Sequence, residues 1–243
     1  MQLQPTLKAA RLTCPVRKSN NGEDEMDQPG TLIKFGKLEH LQQLREEGLL
    51  YLNNLPYFWN IEDEELRGDP CDSAIQVIQG PKVTMVMPDG NEATICTDYT
   101  ARIRPSKPEK INIFCMYALR PLIDGAFPVD EKNQRFGDHA LILMNRDEFI
   151  HRLASSLKSQ MIVGDAELVE YVNDKHTGKL GPFKKFNKFS YQYEWRLVCY
   201  DGPGGPRKIR IGSIRDISVI LPTEEVNKQI QIHFEPGAEP DRP

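Results

Sequence analysis

A regular alternation of polar and apolar residues near the C-terminal end is the clearest pattern in the chain. Across residues 189–199, aromatic residues and then leucine occupy every second position, and polar or charged residues stand between them. Successive side chains of a β-strand point to opposite faces. The pattern predicts a strand over residues 189–200, with the aromatic side chains on one face and Gln192, Glu194 and Arg196 on the other. A half-buried strand whose polar face simply meets water has the same pattern.

The region before it is predicted to open with a strand, a helix and a second strand. The strands cover residues 31–35 and 49–52, and the helix covers residues 38–47, where leucines recur every third position on one side. Gly48 follows the helix directly and is expected to cap it in the left-handed conformation.

The remaining elements predict an α+β fold with a mixed, mainly antiparallel sheet and a few peripheral helices. Apolar runs and turn residues predict strands at 75–78, 83–87, 93–97, 111–118, 139–144, 208–211, 217–221 and 230–234. Helices are predicted at 147–157, with Asn145 as N-cap, and at 166–173. Strands and helices do not alternate regularly, which favours α+β over a doubly wound sheet.

Composition is that of an ordinary globular protein, with 39% hydrophobic and 27% charged residues in 243. We expect a flexible N-terminal arm (1–30), one domain (31–234) and a flexible tail (235–243), because both ends lack periodicity. No apolar run is long enough to span a membrane, and the N-terminus lacks the apolar segment of a secretory signal. Five scattered cysteines without a C-x-x-C pair are typical of a cytoplasmic protein with reduced thiols.

The charge is distributed unevenly along the chain. Residues 175–215 contain ten Lys or Arg and two acidic residues, so this segment carries +8 while the rest carries −12 of the net −4. A basic block in an acidic protein indicates an anionic partner, either a dinucleotide pyrophosphate or a nucleic-acid backbone. The lysines could equally decorate solvated loops.

The segment from Lys179 to Arg196 resembles the active-site turn and catalytic strand of the ADP-ribosyltransferase fold. In those proteins a loop with aromatic residues leads into a strand carrying Q-x-E or E-x-E, and here Gln192-Tyr193-Glu194 matches that motif. The resemblance implies NAD as a substrate. It implies that Glu194 accepts the 2′-hydroxyl of the nicotinamide ribose and stabilises the oxocarbenium-like state, while Gln192 orients the acceptor.

The beginning of the predicted domain also resembles that fold, in particular its DarT-like branch. A strand, a short helix, Gly48-Leu49 and another strand follow one another in both. The first strand of the family usually carries an Arg or His that holds the dinucleotide, and this chain has Lys34 at that position. Lys34 could also be an ordinary exposed strand residue. The family's S-T-S strand has its nearest counterpart at residues 114–117, without the hydroxyl cluster. The resemblance implies that the cofactor contacts are Lys34, Phe35, Tyr117, Tyr191 and Arg196.

Three further points loosely resemble a bacterial family of domains of unknown function. They are Lys34-Phe35, Gly68-Asp69-Pro70 with Asp72, and Glu194-Trp195-Arg196. This resemblance implies membership of that family without naming a substrate.

These observations predict an NAD-dependent ADP-ribosyltransferase-like enzyme of the bacterial toxin or defence type, acting on nucleic acid or protein. One alternative is a non-catalytic nucleic-acid-binding domain, whose basic segment engages the phosphate backbone. The residues expected to contact substrate or nucleic acid are Arg67, Lys184, Lys185 and Lys188. Another alternative is a metal-dependent nuclease that uses the acidic residues between 62 and 72, although a solvated turn explains those acids better and no metal is otherwise expected.

Overall fold

The protein is a mixed α+β structure with mainly antiparallel sheets, as the sequence predicts. The computed structural model describes residues 11–12, 30–60, 68–120 and 127–232. The helices in these residues are α1 (Leu38–Glu47), α2 (Leu55–Trp59), α3 (Arg146–Ser159) and α4 (Val226–Gln229). The strands are β1 (Arg11–Leu12), β2 (Thr31–Gly36), β3 (Leu49–Asn54), β4 (Gln76–Val86), β5 (Glu92–Ile103), β6 (Asn112–Leu119), β7 (His139–Leu143), β8 (Gly164–Leu168), β9 (Glu170–Val172), β10 (Gly178–Lys179), β11 (Lys184–Phe186), β12 (Glu194–Cys199), β13 (Arg207–Arg210), β14 (Ser218–Pro222) and β15 (Gln231–Ile232).

Eight of these strands form a central antiparallel sheet around β6. The order is β13-β3-β6-β2-β7-β14, and β12 joins β6 on its other edge and carries β8 beyond it. Parallel pairing occurs in the described residues only between β1 and β15 and between β9 and β11. The buried apolar run in β6 agrees with its central position in the sheet.

Helices α1 and α3 cover one face of the central sheet. Their buried side chains (Leu41, Leu44, Phe149 and Leu153) pack against a core that includes Trp195 of β12. Each such side chain contributes about 1.5–3 kcal/mol when fully buried. The predicted bounds of α1 and its cap are confirmed, since Gly48 has a φ of 62° and donates its backbone N–H to Gln43.

The central sheet splits along one edge of β6. Strand β12 pairs with β6 from Asn112 to Tyr117. On the opposite edge, β3 pairs with residues 112–113 and β2 pairs with residues 117–119. Residues 114–116 therefore face a gap between two strands that run parallel to each other and are linked by α1. This gap determines where a ligand can reach the sheet.

Strands β4 and β5 form a long hairpin. The predicted strands at 75–78 and 83–87 are parts of a single strand, β4, and the predicted strand at 93–97 is the N-terminal half of β5. The turn at Asp89-Gly90 is as predicted, with Gly90 at a φ of 85°. Only the base of the hairpin gains a third strand, where β10 pairs with residues 76–77 of β4.

Two secondary-structure predictions are wrong. The predicted helix at 166–173 is instead made of β8 and β9, because this segment adds to the edge of β12 and meets β11. The predicted strand at 189–200 begins only at Glu194, because residues 187–192 form a 3-10 helix. Within β12 the predicted alternation holds, with Trp195 and Leu197 facing the helices and Glu194 and Arg196 on the opposite face.

Most of the predicted arm (1–30) and the predicted tail (235–243) lie outside the described residues. Within the arm, the two residues of β1 pair with β15. No helix in the described ranges combines the length and the apolar character needed to cross a membrane.

Replacing Gly48 by alanine should destabilise the protein strongly. Its Cβ atom would lie 1.9 Å from the carbonyl oxygen of Gly212, and its φ is in the left-handed region. We expect a loss of about 3 kcal/mol in the free energy of unfolding, measured by urea denaturation. Gly90→Ala is the matched control, because it also has a positive φ but would meet no atom within 4 Å; about 1 kcal/mol is expected there. Equal losses would contradict the close approach of Gly48 to Gly212.

Candidate functional site

A cleft of about 1070 Å³ opens at the gap between β2 and β3. It is lined by β2 and β3 on either side of the gap and by residues 113–117 of β6. It continues to a group of buried polar side chains that we call the floor, namely Asp72, Lys185, Gln192, Glu194 and Arg196. A volume of this size is at the upper end of ordinary ligand sites.

Arg196 holds the floor together. Its side chain is 1% exposed, and its Nε donates to Oε1 of Glu194 over 2.8 Å. Its two terminal nitrogens donate to the two carboxylate oxygens of Asp72 over 2.7 and 3.1 Å. It also donates to the carbonyl oxygen of Pro182. The planar guanidinium thus joins three segments of the chain, using the bidentate geometry that arginine forms with carboxylates.

Lys185 provides the second buried cation. Its Nζ donates to Oε2 of Glu194 over 2.9 Å and to Oε1 of Gln192 over 2.8 Å. It also lies 3.6 Å from Oδ2 of Asp72. The two carboxylates and two cations sum to zero charge, which is the condition under which charges persist in a low-dielectric interior.

The charge states of the floor follow from these contacts. Burial alone would raise the pKa of Glu194, but Arg196 and Lys185 outweigh it and hold that pKa far below the ordinary 4.5. The pKa of Asp72 is also lowered, by the same two cations against the effect of burial. Burial would lower the pKa of Lys185, yet Glu194 and Asp72 raise it. Glu194 is therefore ionised throughout the physiological pH range and cannot act as a proton-transfer group there.

Cys115 borders the floor from β6, opposite Arg196 in the strand pairing. Burial and the charge of Glu194 raise the pKa of its thiol to about 12. A thiol that stays protonated is a poor nucleophile. Cys115 therefore contributes packing and a hydrogen bond from its thiol to Glu194, rather than nucleophilic chemistry.

The local backbone explains how Gln192 and Glu194 come to lie together. The 3-10 helix over residues 187–192 ends at Tyr193, which has a φ of 37°. This left-handed residue turns the chain from the helix into β12, and Asn133 fixes the turn by donating to the carbonyl oxygen of Tyr191 over 2.8 Å. Gln192 and Glu194 converge on Lys185 through this turn, and not through the continuous strand face that the alternation predicts.

The mouth of the cleft is basic and aromatic. The exposed Lys37 and Lys208 line it. The half-buried Lys34 lies deeper, inside the gap, where it donates to the carbonyl oxygen of Cys115 over 2.6 Å. The ammonium of Lys208 lies 5.9 Å from the ring centre of Tyr51. Tyr57, Phe58 and Phe136 also line the cleft. Cations beside aromatic surfaces suit a ligand that carries both phosphates and flat rings.

Most of the predicted catalytic and cofactor residues line this cleft. Gln192, Glu194 and Arg196 are on its floor, and Lys34, Phe35 and Tyr117 are on its walls. Phe35 and Tyr117 pack edge to face with ring centres 6.2 Å apart. The alternative in which Lys34 is an ordinary exposed strand residue is wrong, because its side chain is half-buried. Tyr191 does not line the cleft and packs into a separate apolar cluster with Phe186 and Phe189.

The predicted substrate or nucleic-acid contacts are dispersed. Lys185 is buried in the floor, so it does not offer a surface contact. Lys184 pairs with Glu170 over 2.8 Å, and Lys188 is exposed; neither lines the cleft. Arg67 lies outside the described residues. Half of the ten cations in residues 175–215 pair with carboxylates of the fold: Lys184, Lys185, Arg196, Arg210 and Arg215.

The role of Asp72 was not predicted from the sequence. Its partner Arg196 is 124 residues away in the chain, and no local pattern reports such a contact. The one sequence feature that grouped Asp72 with the site was the loose resemblance to a family of unknown function. Its three matching segments contain Lys34, Asp72, and the pair Glu194 and Arg196. The structure brings all three points to one cleft.

The predicted metal alternative has limited structural support. Residues 61–67 of the acidic segment lie outside the described ranges. Within those ranges, no three His, Cys, Asp or Glu side chains are arranged to hold a metal ion. Asp72 is already bound by Arg196, and Asp69 accepts a hydrogen bond from the backbone of Cys71.

Comparison of the chain with protein-family models, with curated proteins and with solved structures found no match.

Replacing Arg196 by methionine should be among the most damaging single changes. It leaves two buried carboxylates with only Lys185 to balance them, and we expect the free energy of unfolding to fall by about 3–5 kcal/mol. Arg152→Met is the matched control, since Arg152 makes a comparable set of bonds to Glu148 and Asp216 at the surface. Urea denaturation should show a loss several times smaller for the control. Similar losses would show that the floor does not stabilise the fold.

The ion pairs of the floor should also make stability fall in acid. A carboxyl whose pKa is lowered on folding contributes stability above its unfolded pKa, and this is lost as pH falls through its folded pKa. For Glu194 the loss begins below 4.5. Between about pH 4 and pH 2.5, Glu194→Gln should reduce the slope of unfolding free energy against pH by about 1 kcal/mol per pH unit. An unchanged slope in urea titrations would mean that Glu194 is not held ionised.

Proposed function

We propose that this protein is an NAD-dependent ADP-ribosyltransferase-like enzyme, which binds the dinucleotide in the cleft and cleaves its bond between nicotinamide and ribose. The observation that carries the proposal is the position of Gln192 and Glu194 on the floor of a cleft large enough for a dinucleotide. The finer fold assignment, an ADP-ribosyltransferase-like sheet, belongs to the same proposal. It is supported by the split of the central sheet above β6 and by β12, which carries Glu194 beside that split.

The charge distribution of the cleft supports a dinucleotide as its ligand. NAD has a cationic nicotinamide ring at one end and an anionic pyrophosphate in the middle. The ionised carboxylate of Glu194 lies on the floor, and the exposed cations Lys37 and Lys208 lie at the mouth. The half-buried Lys34 reaches into the gap, where it donates to Cys115. A dinucleotide bound with nicotinamide inward places opposite charges together at both positions. The exposed aromatic side chains of Tyr51 and Tyr57, which line the cleft, provide flat surfaces for its rings.

Glu194 acts as a fixed negative charge in this mechanism. It accepts a hydrogen bond from the ribose 2′-hydroxyl and stabilises the positive charge that develops on the ribose. The glycosidic bond breaks, its electron pair leaves with the nicotinamide nitrogen, and the acceptor forms the new bond to the same carbon and loses its proton to solvent. Arg196 and Lys185 occupy one position on each carboxylate oxygen and hold the group in place. Such preorganisation is the usual source of electrostatic catalysis.

Gln192 positions the acceptor. Its Oε1 accepts a hydrogen bond from Lys185, and its amide nitrogen donates to the hydroxyl of Tyr191 over 3.4 Å, so both ends of the amide are oriented. The amide group can donate to an acceptor amide, base or carboxylate that approaches the ribose. The acceptor is nucleic acid or protein. Incubation with labelled NAD and each of the two in turn identifies which one takes up the label.

The test measures NAD binding by calorimetry and nicotinamide release by chromatography. Wild type should bind NAD and release nicotinamide. Glu194→Gln should slow release by about 100- to 1000-fold. Glu224→Gln is the matched control, since Glu224 is exposed and does not line the cleft, and it should retain wild-type activity.

A second variant separates loss of chemistry from loss of folding. Lys34→Met should raise the KM for NAD about tenfold with a smaller effect on kcat, because it removes a contact expected for the bound pyrophosphate. Circular dichroism checks that both variants are folded. A wild-type protein that does not bind NAD at saturating concentration would refute the proposal, and so would a folded Glu194→Gln variant with full activity.

A further inference from the structure

The outer edge of β5 is long and has no paired strand in the part of the chain that the structure describes. Within the described residues, β5 is the last strand of a three-stranded sheet of order β10-β4-β5. It contains 12 residues with no proline, and ten of them are exposed. The backbone groups on the edge of such a strand form a template for pairing with another strand.

The edges of the central sheet are protected by short length, charge or proline. Strand β5 is long and has no proline, and its irregularities are the register shift at Ile95 and the left-handed Asp98, which has a φ of 50°. Strand β13 has four residues, three of which are cationic, and β8 has five residues, two of which are acidic. Strand β14 ends at Pro222. Short length, charge and proline are the usual means of blocking an edge. Strand β5 is more than twice as long as any of these and carries charge only at Glu92, Asp98 and Arg102.

The hairpin also lacks the packing that would make it stable alone. Strand β10 pairs only with the first two residues of β4, so most of the hairpin is two-stranded. Ile95 has no partner on β4, because the register shifts between Val83 and Thr84, and it is 62% exposed. Val86 is 66% exposed. Two-stranded hairpins are marginally stable in water, whereas four strands with shared side-chain contacts are stable.

We propose that β5 pairs with β5 of a second copy of this chain, antiparallel about a two-fold axis at Thr97. In this register residues whose numbers sum to 194 lie opposite each other, and the sequence of β5 is complementary to itself. Glu92 faces Arg102 of the other copy, once at each end of the pairing, and Thr97 faces its own copy. The other pairs are Ala93 with Ala101, Thr94 with Thr100, Ile95 with Tyr99, and Cys96 with Asp98.

The charges select this register. A shift of the axis by one residue towards the N-terminus places Glu92 opposite Thr100. A shift towards the C-terminus places it opposite Arg104, which already donates to Pro70 and lies over the ring of Trp59. Opposite charges, threonine pairs and pairs of aromatic with β-branched residues are each favourable across antiparallel strands. The two hairpins become one four-stranded sheet, and a two-fold axis closes the assembly as a dimer. The inference is independent of the chemistry proposed for the cleft.

Sedimentation velocity over a wide range of protein concentration tests the dimer. Wild type should show a concentration-dependent dimer. Glu92→Arg should weaken it about tenfold or more, because two attractive pairs become repulsive. The double variant Glu92→Arg with Arg102→Glu restores opposite charges and should restore the dimer. A protein that stays monomeric, or a dimer that is indifferent to Glu92→Arg, overturns the proposal.

Cysteine cross-linking tests the register directly. Cys96 is exposed, and in the proposed register it lies diagonally across the axis from Cys96 of the other copy, at about 7–8 Å. Cys14 is replaced by serine so that its thiol cannot react in place of Cys96. In this background, a bismaleimide with a short spacer should give a covalent dimer. Cys96→Ser should abolish it, and Glu92→Arg should reduce it. Cross-linking that survives Cys96→Ser contradicts the register.

Discussion

Four buried charges at the floor of the cleft constrain the rest of this structure. Arg196 and Lys185 lie between the carboxylates of Asp72 and Glu194, and none of the four is more than 7% exposed. Removing any one leaves an unbalanced charge in a low-dielectric interior. The cluster therefore ties together the segment after α2, the segment before the 3-10 helix and the strand β12, which are distant in sequence. The arrangement of the floor follows from this requirement for neutrality, while the gap between β2 and β3 opens the cleft above it.

A neutral cluster can still present an oriented charge to a ligand. The carboxylate of Glu194 is held by Arg196 on one oxygen and Lys185 on the other, and it also accepts a hydrogen bond from the thiol of Cys115, so its orientation is set before any ligand arrives. The exposed cations at the mouth of the cleft, Lys37 and Lys208, provide positive charge away from the floor. The proposed function uses this separation, because NAD carries its cationic ring and its pyrophosphate at different places along its length. Binding and chemistry then depend on different residues.

Local sequence patterns predicted the elements whose conformation depends on residues close to them in the sequence. Helix α1 and its Gly48 cap follow from leucine spacing and the glycine, and β6 follows from its apolar run. The segment at 166–173 was mistaken for a helix because its strand form depends on pairing with β12, which no short window reports. The alternation before Glu194 also failed to predict a strand, because Phe189 and Tyr191 pack equally well from a 3-10 helix. The site was predicted through Gln192 and Glu194, while Asp72 needed the fold.

A crystal structure with NAD bound tests the central claim most directly. The account predicts that the dinucleotide lies in the cleft, with a ribose hydroxyl within hydrogen-bond distance of Glu194, the nicotinamide ring near the floor and the pyrophosphate near Lys34. Dinucleotide bound elsewhere on the surface, or a cleft that remains without it in crystals grown at saturating NAD, would contradict the account.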